Sequence, residues 1–194
     1  MKFPGLTLFH KSAEDFNTIV GYDDIKDIVR RALDAQDNYN LLFIGPPASA
    51  KTLFLLGILD IRKNGVYFDS SNTTNRILDV LEEERPNVIC IDELDKMPRT
   101  FQNQLLNFME SGRIKVDQQK KQYDLEIKGA KVFGSCNKIN GLSNPLQSRF
   151  RKLFLPRSRR SNSWTYRRRY CLNYLILPSI LELAYGKWKA TSEM

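Results

Sequence analysis

A chain of 194 residues, 42% of them hydrophobic, is long enough for one domain with a full core, or a domain and a small appendage. His10 is the only histidine, and Cys90, Cys136 and Cys171 lack metal-ligand spacing, which excludes most metal sites and histidine-based catalytic triads. The formal charge of +8 suggests nucleic acid, but the segment from Arg157 onward carries eight basic and two acidic residues, so the basic signal belongs almost wholly to the tail.

Residues 1–13, with Phe3, Pro4, Leu6 and Phe9, read as a separate N-terminal segment. Phe16 to Gly21 is an apolar linker suited to packing on a flat ring, and Asp23 to Ala35 carries apolar residues at helical spacing behind an acidic pair. Leu41 to Ile44 reads as a buried strand, Lys51 to Ile61 as a buried helix and Gly65 to Asp69 as a second strand. Asn72 or Thr73 caps a helix running through Glu84, and Val88 to Ile91 is another apolar strand. Thr100 to Ser111 is helical and stops at Gly112. Strands are then expected at Ile114 to Val116, Tyr123 to Ile127, Lys131 to Ser135 and Lys152 to Leu155. Strands alternating with helices predict an α/β fold with a parallel, right-handed sheet covered on both faces. The longest apolar stretch, Leu172 to Ala184, is interrupted by Asn173, Pro178 and Glu182 and is too short to cross a bilayer. With two cysteines inside core strands, the expectation is a cytoplasmic protein with reduced thiols and no membrane contact.

Chemistry concentrates at the ends of the apolar strands. Gly45-Pro46-Pro47-Ala48-Ser49-Ala50-Lys51-Thr52 follows the first of them, where a tight loop before a helix turns backbone N–H groups and the helix dipole toward an anion. Lys51 is placed to reach β- and γ-phosphates, Thr52 a magnesium ion, and Asp92, at the end of the Val88 strand, the same ion through water. Ala50 stands where the GxxxxGK[ST] pattern has its second glycine and adds a methyl group near the phosphates. Glu93 is the candidate to take a proton from, or orient, an attacking water; otherwise it is an exposed strand-end acid. The strand beginning at Lys131 leads into Asn137, near the expected γ-phosphate, and Arg149 ends a short helix from which it can neutralise charge on a transferring phosphoryl group. Arg151 is the second choice for that part.

The ordered set GPPASAKT, VICIDELD, a strand ending in Asn137, and Pro145-Leu-Gln-Ser-Arg-Phe150 resembles AAA+ ATPases over about residues 14–157. That resemblance implies a P-loop NTPase fold, ATP and Mg2+ as ligands, and a head-to-tail homo-oligomeric ring, expected to be a hexamer. It assigns Lys51 and Thr52 to Walker A, Asp92 and Glu93 to Walker B, Asn137 to sensor 1 and Arg149 to the arginine finger. It also puts Ile19, Val20 and Gly21 near the adenine. Residues 112–127 read as a β-hairpin inserted before the sensor-1 strand, with Gln118 to Gln122 at its tip. This insert is similar to those of RuvB-type branch-migration motors and MCM helicases, which implies a motor acting on DNA. Lys120 and Lys121 suit phosphate contacts, and equally an ordinary solvated turn. A protein-remodelling chaperone of the MoxR type shares the same core, and a truncated nucleotide-binding module without turnover is a third reading.

The tail departs from the family. A helical lid bearing a sensor-2 arginine is expected after Pro156, yet residues 157–169 hold six arginines and a tryptophan without amphipathic period. A basic-aromatic arm for nucleic acid is one reading. The preferred one is a one-base deletion near Arg157. Read one base earlier, suitable codons for residues 158–194 give a helix-forming string with a GDIRD segment resembling sensor 2. The lid is then missing or replaced by out-of-frame sequence.

Overall fold

The computed structural model describes residues 16, 18–37, 39–70, 74–118 and 121–156, all within a compact unit spanning Met1–Ser158. The N-terminal segment 1–13, the cap positions Asn72 and Thr73, Cys171 and the tail 158–194 lie outside the described residues.

Five strands form one parallel sheet: β1 Leu41–Ile44, β2 Gly65–Phe68, β3 Val88–Ile91, β6 Lys131–Cys136 and β7 Arg151–Phe154, in the order β2-β3-β6-β1-β7. Between β3 and β6 the chain adds β4 Arg113–Gln118 and β5 Lys121–Glu126, an antiparallel pair that forms its own sheet. The helices are α1 Asp23–Asp34, α2 Lys51–Ile61, α3 Thr74–Glu84, α4 Arg99–Ser111 and α5 Asn144–Ser148.

Burial on both sheet faces explains the near-continuous apolar strands. In β1, Leu41 and Phe43 join one cluster with Val29, Leu33, Phe54 and Ile58 of α1 and α2, while Leu42 and Ile44 join the other with residues of α3 and α4. This is the period-two alternation of a strand, with both faces packed. α2 is apolar around most of its circumference, and its Gly57 has no room for a side chain: a Cβ there would lie 2.6 Å from the Phe16 ring. Phe16 also packs on Phe54, with ring centroids 5.6 Å apart, so the linker expected to be apolar is docked along α2.

Helix ends follow local chemistry. Asp23 and Asp24 occupy the first turn of α1 and Arg31 its last, matching the helix dipole. The last carbonyls of α1 receive an unexpected partner: the buried Lys131 amine donates to Ala32 O (2.7 Å) and Leu33 O (2.8 Å), and also to Ala35 O. Gly112 stops α4 as expected, at φ 68° with its N–H donating to Phe108 O at 2.7 Å.

Several expected boundaries move by one or two residues: α1 ends at Asp34, β2 at Phe68 and β7 at Phe154, each one residue early, and α4 begins one residue early, at Arg99. β7 begins at Arg151 rather than Lys152, because Arg151 N–H already bonds Asn40 O at 2.9 Å, and β6 runs one residue further, to Cys136. The hairpin strands are longer than expected and leave only residues 119–120 between them, instead of a tip spanning Gln118 to Gln122. Ile114, Tyr123 and Leu125 are buried against the core, while Arg113, Lys115, Asp124 and Glu126 face solvent.

Candidate nucleotide site

Chain direction reverses around β1. From β1 the chain crosses to β2 at one edge and returns through β3 and β6; the next strand, β7, lies on the far side of β1. Ligand crevices of parallel sheets open at the carboxyl ends of strands beside such a switch point. The loop 45–50, Asp92-Glu93 and Asn137 all follow the carboxyl ends of β1, β3 and β6.

The loop is built by steric exclusion. A Cβ on Gly45 would lie 2.3 Å from Leu155 O and 2.7 Å from Ser49 Oγ, so only glycine fits. Ala48 (φ 62°) and Ala50 (φ 64°) both adopt the left-handed conformation that glycine takes without strain. The GxxxxGK[ST] pattern exposes the departure at Ala50 and is silent about Ala48. Lys51 opens α2 with its amine bent back into the loop, donating to Gly45 O (2.8 Å), Pro46 O (2.8 Å) and Ser49 Oγ (3.3 Å). Burial pulls its pKa down, with the nearby Asp92 charge opposing the shift.

Thr52 and Asp92, forty residues apart in sequence, are in direct contact: Thr52 Oγ1 donates to Asp92 Oδ2 at 2.6 Å. Tyr67 OH donates to the same oxygen at 3.0 Å, while the other, Oδ1, accepts from Ser135 Oγ and from Glu93 N–H at 2.9 Å. Burial alone would raise the Asp92 pKa, but the bonds from Ser135, Thr52, Tyr67 and the Glu93 N–H outweigh it and hold the carboxyl below its ordinary range. Glu93, itself at φ 52°, accepts from Lys96 Nζ at 2.7 Å and from Ser70 Oγ at 3.0 Å, and the Lys96 bond lowers its pKa. Asn137 follows Cys136, whose carbonyl accepts the Gly45 N–H at 3.3 Å.

A cavity of about 420 Å³ beside the loop is lined by Thr18, Ile19, Val20, Tyr22 and residues 48–53. Ile19 is buried, whereas Val20 is 92% exposed and free to cover a flat ring. Gly21, expected beside the adenine, is not part of this wall; at φ 76° it turns the chain, and Tyr22 takes its place with its hydroxyl donating to Pro156 O at 3.0 Å. The donor set suits a nucleoside triphosphate and a divalent cation. The loop leaves no space for a Cβ at Gly45, and the Thr52 hydroxyl spends its proton on Asp92, which keeps oxygen lone pairs for a cation.

Arg149 stands apart from this cluster. As the C-cap of α5, it donates through Nε to Glu110 Oε1 at 3.0 Å and through Nη2 to the same oxygen, with both side chains about half exposed. Arg151 instead covers the Tyr39 ring, 4.7 Å from its centroid. The Lys120 and Lys121 side chains lie outside the described residues. Among the described residues no group of three or more histidine, cysteine or acidic side chains forms a metal cage, and no helix is long and apolar enough to cross a membrane. Cys90 and Cys136 are buried free thiols, and burial pushes the Cys136 pKa up to about 12.

Sequence reasoning missed Tyr67, Ser135, Ser70 and Lys96. Ser135 had left a signal: it is a hydroxyl within a fully buried strand, and a buried hydroxyl needs a hydrogen-bond partner.

A parallel sheet with a phosphate-type loop after β1 and an acidic pair after β3 defines a P-loop NTPase fold. Residues 41–157 match the model of the ATPase family associated with various cellular activities (AAA), and the chain belongs to that family. It is similar to the Holliday junction branch migration complex subunit RuvB of Rhodopirellula baltica, 27% identical over 145 residues, spanning 68% of this chain and 40% of that protein. The same subunit of Synechocystis is 24% identical over 144 residues, with the same shares of 68% and 40%. The chain thus spans about two fifths of the length of these curated relatives.

Proposed function

We propose that residues 14–157 are an ATP-binding, Mg2+-dependent ATP-hydrolysing AAA+ engine. The observation that carries this reading is the 2.6 Å contact between Thr52 and Asp92, made while Lys51 lies inside the loop formed by Gly45, Pro46, Pro47, Ala48, Ser49 and Ala50. Lys51 exchanges its loop carbonyls for β/γ-phosphate oxygens, and the loop N–H groups face the same phosphates. When bound, Mg2+ neutralises charge between the terminal phosphates; Thr52 Oγ1 and, through water, Asp92 hold it. Glu93 releases Lys96 or Ser70 and accepts the proton of the attacking water, which Asn137 helps to orient. Ile19 and Val20 form the adenine wall, with Gly21 shaping the turn behind it. Arg149 exchanges Glu110 for the γ-phosphate of a neighbouring subunit in a head-to-tail ring, expected to be a hexamer.

Nucleotide titration and turnover assays on the 194-residue chain test this. Lys51→Ala abolishes binding; Glu93→Gln keeps binding and lowers any measurable hydrolysis by about 100-fold or more. Wild-type-like binding by Lys51→Ala overturns the reading.

DNA is the proposed substrate of the motor, supported by the two-stranded insert between α4 and β6 and by similarity to proteins named for Holliday junction branch migration. Lys120 and Lys121 at the hairpin tip are its proposed phosphate contacts. Hydrolysis stimulated by DNA favours this reading over a MoxR-like chaperone. A truncated nucleotide-binding module is favoured instead by salt-sensitive nucleic-acid binding, without hydrolysis, that disappears when residues 158–194 are deleted.

A further inference from the structure

Asp92 has four hydrogen-bond donors, and two of them, Tyr67 and Ser135, have no part in the mechanism above. We propose that Ser135 and Tyr67 are positioning residues for the divalent cation: with Thr52 they clamp the Asp92 carboxylate in one orientation against the phosphate loop. This rests on reading Asp92 as the cation-holding carboxylate.

The clamp draws on three elements. Asp92 directly follows β3, which lies between β2 and β6; Tyr67 reaches it from β2, Ser135 from β6 and Thr52 from the first turn of α2. Each carboxylate oxygen carries two donors, so rotation of the group about its Cβ–Cγ bond breaks all four bonds together. Ser135 is completely buried and its backbone is paired with Phe43 of β1, so its hydroxyl presents a fixed point.

Ser135 has a second role. The Glu93 N–H is shared between Asp92 Oδ1 at 2.9 Å and Ser135 Oγ at 3.2 Å. A carboxylate offers about four acceptor sites, all engaged here. When Glu93 N–H shifts fully onto Ser135 Oγ, one Oδ1 site is released to a cation-bound water without leaving the half-buried N–H unpaired. Ser135 therefore holds Asp92 and supplies the alternative acceptor that lets Asp92 engage the hydrated ion.

The test titrates a fluorescent ATP analogue onto wild-type chain, Ser135→Ala, Ser135→Thr and Tyr67→Phe, in EDTA and across a Mg2+ series. Ser135→Ala and Tyr67→Phe are expected to need about 10-fold more Mg2+ for half-maximal binding, with affinity in EDTA unchanged to within about twofold. Ser135→Thr, which keeps the hydroxyl, retains the wild-type Mg2+ curve. Coincident Mg2+ curves for all four proteins overturn the clamp, as does a parallel loss of affinity with and without Mg2+, which marks a general structural role. Should Ser135→Ala fail to fold, Tyr67→Phe decides alone, since it removes one hydroxyl from a half-buried ring. A wild-type chain that binds the analogue equally well with and without Mg2+ sinks the Asp92 assignment itself, and one that binds none sinks the ATP reading.

Discussion

Alanines 48 and 50 hold left-handed backbone in a loop whose geometry glycine would adopt freely. An L-residue in that conformation costs about 1 kcal/mol, so Ala48→Gly and Ala50→Gly are each expected to raise the urea midpoint by a corresponding amount. Lower stability in either variant would mean that the alanine methyl contributes packing that outweighs the strain. Asp92 makes a separate prediction through its depressed pKa. A carboxyl whose folded pKa lies below its unfolded value contributes stability that is present above the unfolded value and lost as pH falls through the folded one. Unfolding of wild type and Asp92→Asn, followed from pH 6 downward, should therefore show a stability gap that narrows below the ordinary aspartate value of 3.8. A gap independent of pH would remove the ionised carboxylate from the stability argument. The grouping of Lys51 and Thr52 with Asp92 was legible in the sequence because a loop opening a helix after one apolar strand and an acid following another form a recognisable candidate phosphate motif. Ser135 left only the hint of a buried hydroxyl and Tyr67 none, since their contact with Asp92 depends on which strands flank β3.

Strand order is set by long-range pairing, which periodicity does not encode. The sequence therefore indicated the elements and their parallel sense, while β6 lying between β1 and β3 emerged only from the register. Lys131 is the instructive case. Its apolar neighbours marked a strand, but nothing local indicated that its amine would terminate α1 about a hundred residues earlier in the chain. Lys131→Met should cost about 2 kcal/mol by leaving buried carbonyls without their charged donor. Because Lys131 begins β6, at the end of the sheet opposite the phosphate loop, nucleotide affinity should stay at the wild-type level. Loss of affinity equal to the loss of stability would link α1 to the site. The longer hairpin has a similar explanation: the Ile114, Tyr123 and Leu125 stripe suggested it, and pairing continues past the apolar residues through Arg113 with Glu126 at one end and Asp117 with Gln122 and Gln118 with Lys121 at the other, with an Arg113–Asp124 ion pair across the strands.

At the scale of the whole molecule, the family match ends at residue 157, where the sequence changes character. Sequencing the DNA across codons 150–165 is expected to reveal a one-base deletion near Arg157; an intact frame, reproducibly expressed, sinks that idea. If the tail is genuine, turnover is expected to be weak or absent and ring assembly poor, so robust hydrolysis by the chain would contradict the need for a lid. Assembly has its own test in a chain that does turn over, for example one with its frame restored. Arg149→Ala and Glu93→Gln, each inactive alone, should regain part of the activity when mixed, because an arginine donated in trans creates competent mixed sites. No recovery would mean that Arg149 acts within its own subunit or not at all. Finally, Phe16 packs on Phe54, whose ring also meets that of Tyr22 in the cavity wall, with centroids 6.0 Å apart. The Phe16 ring is wedged where Gly57 has no side chain, so an apolar peg stands one aromatic ring back from the cavity wall. On the reading that this cavity takes the base, removing that peg is expected to weaken the base wall while leaving the Lys51, Thr52 and Asp92 contacts intact, which would separate the selectivity of the pocket from its chemistry.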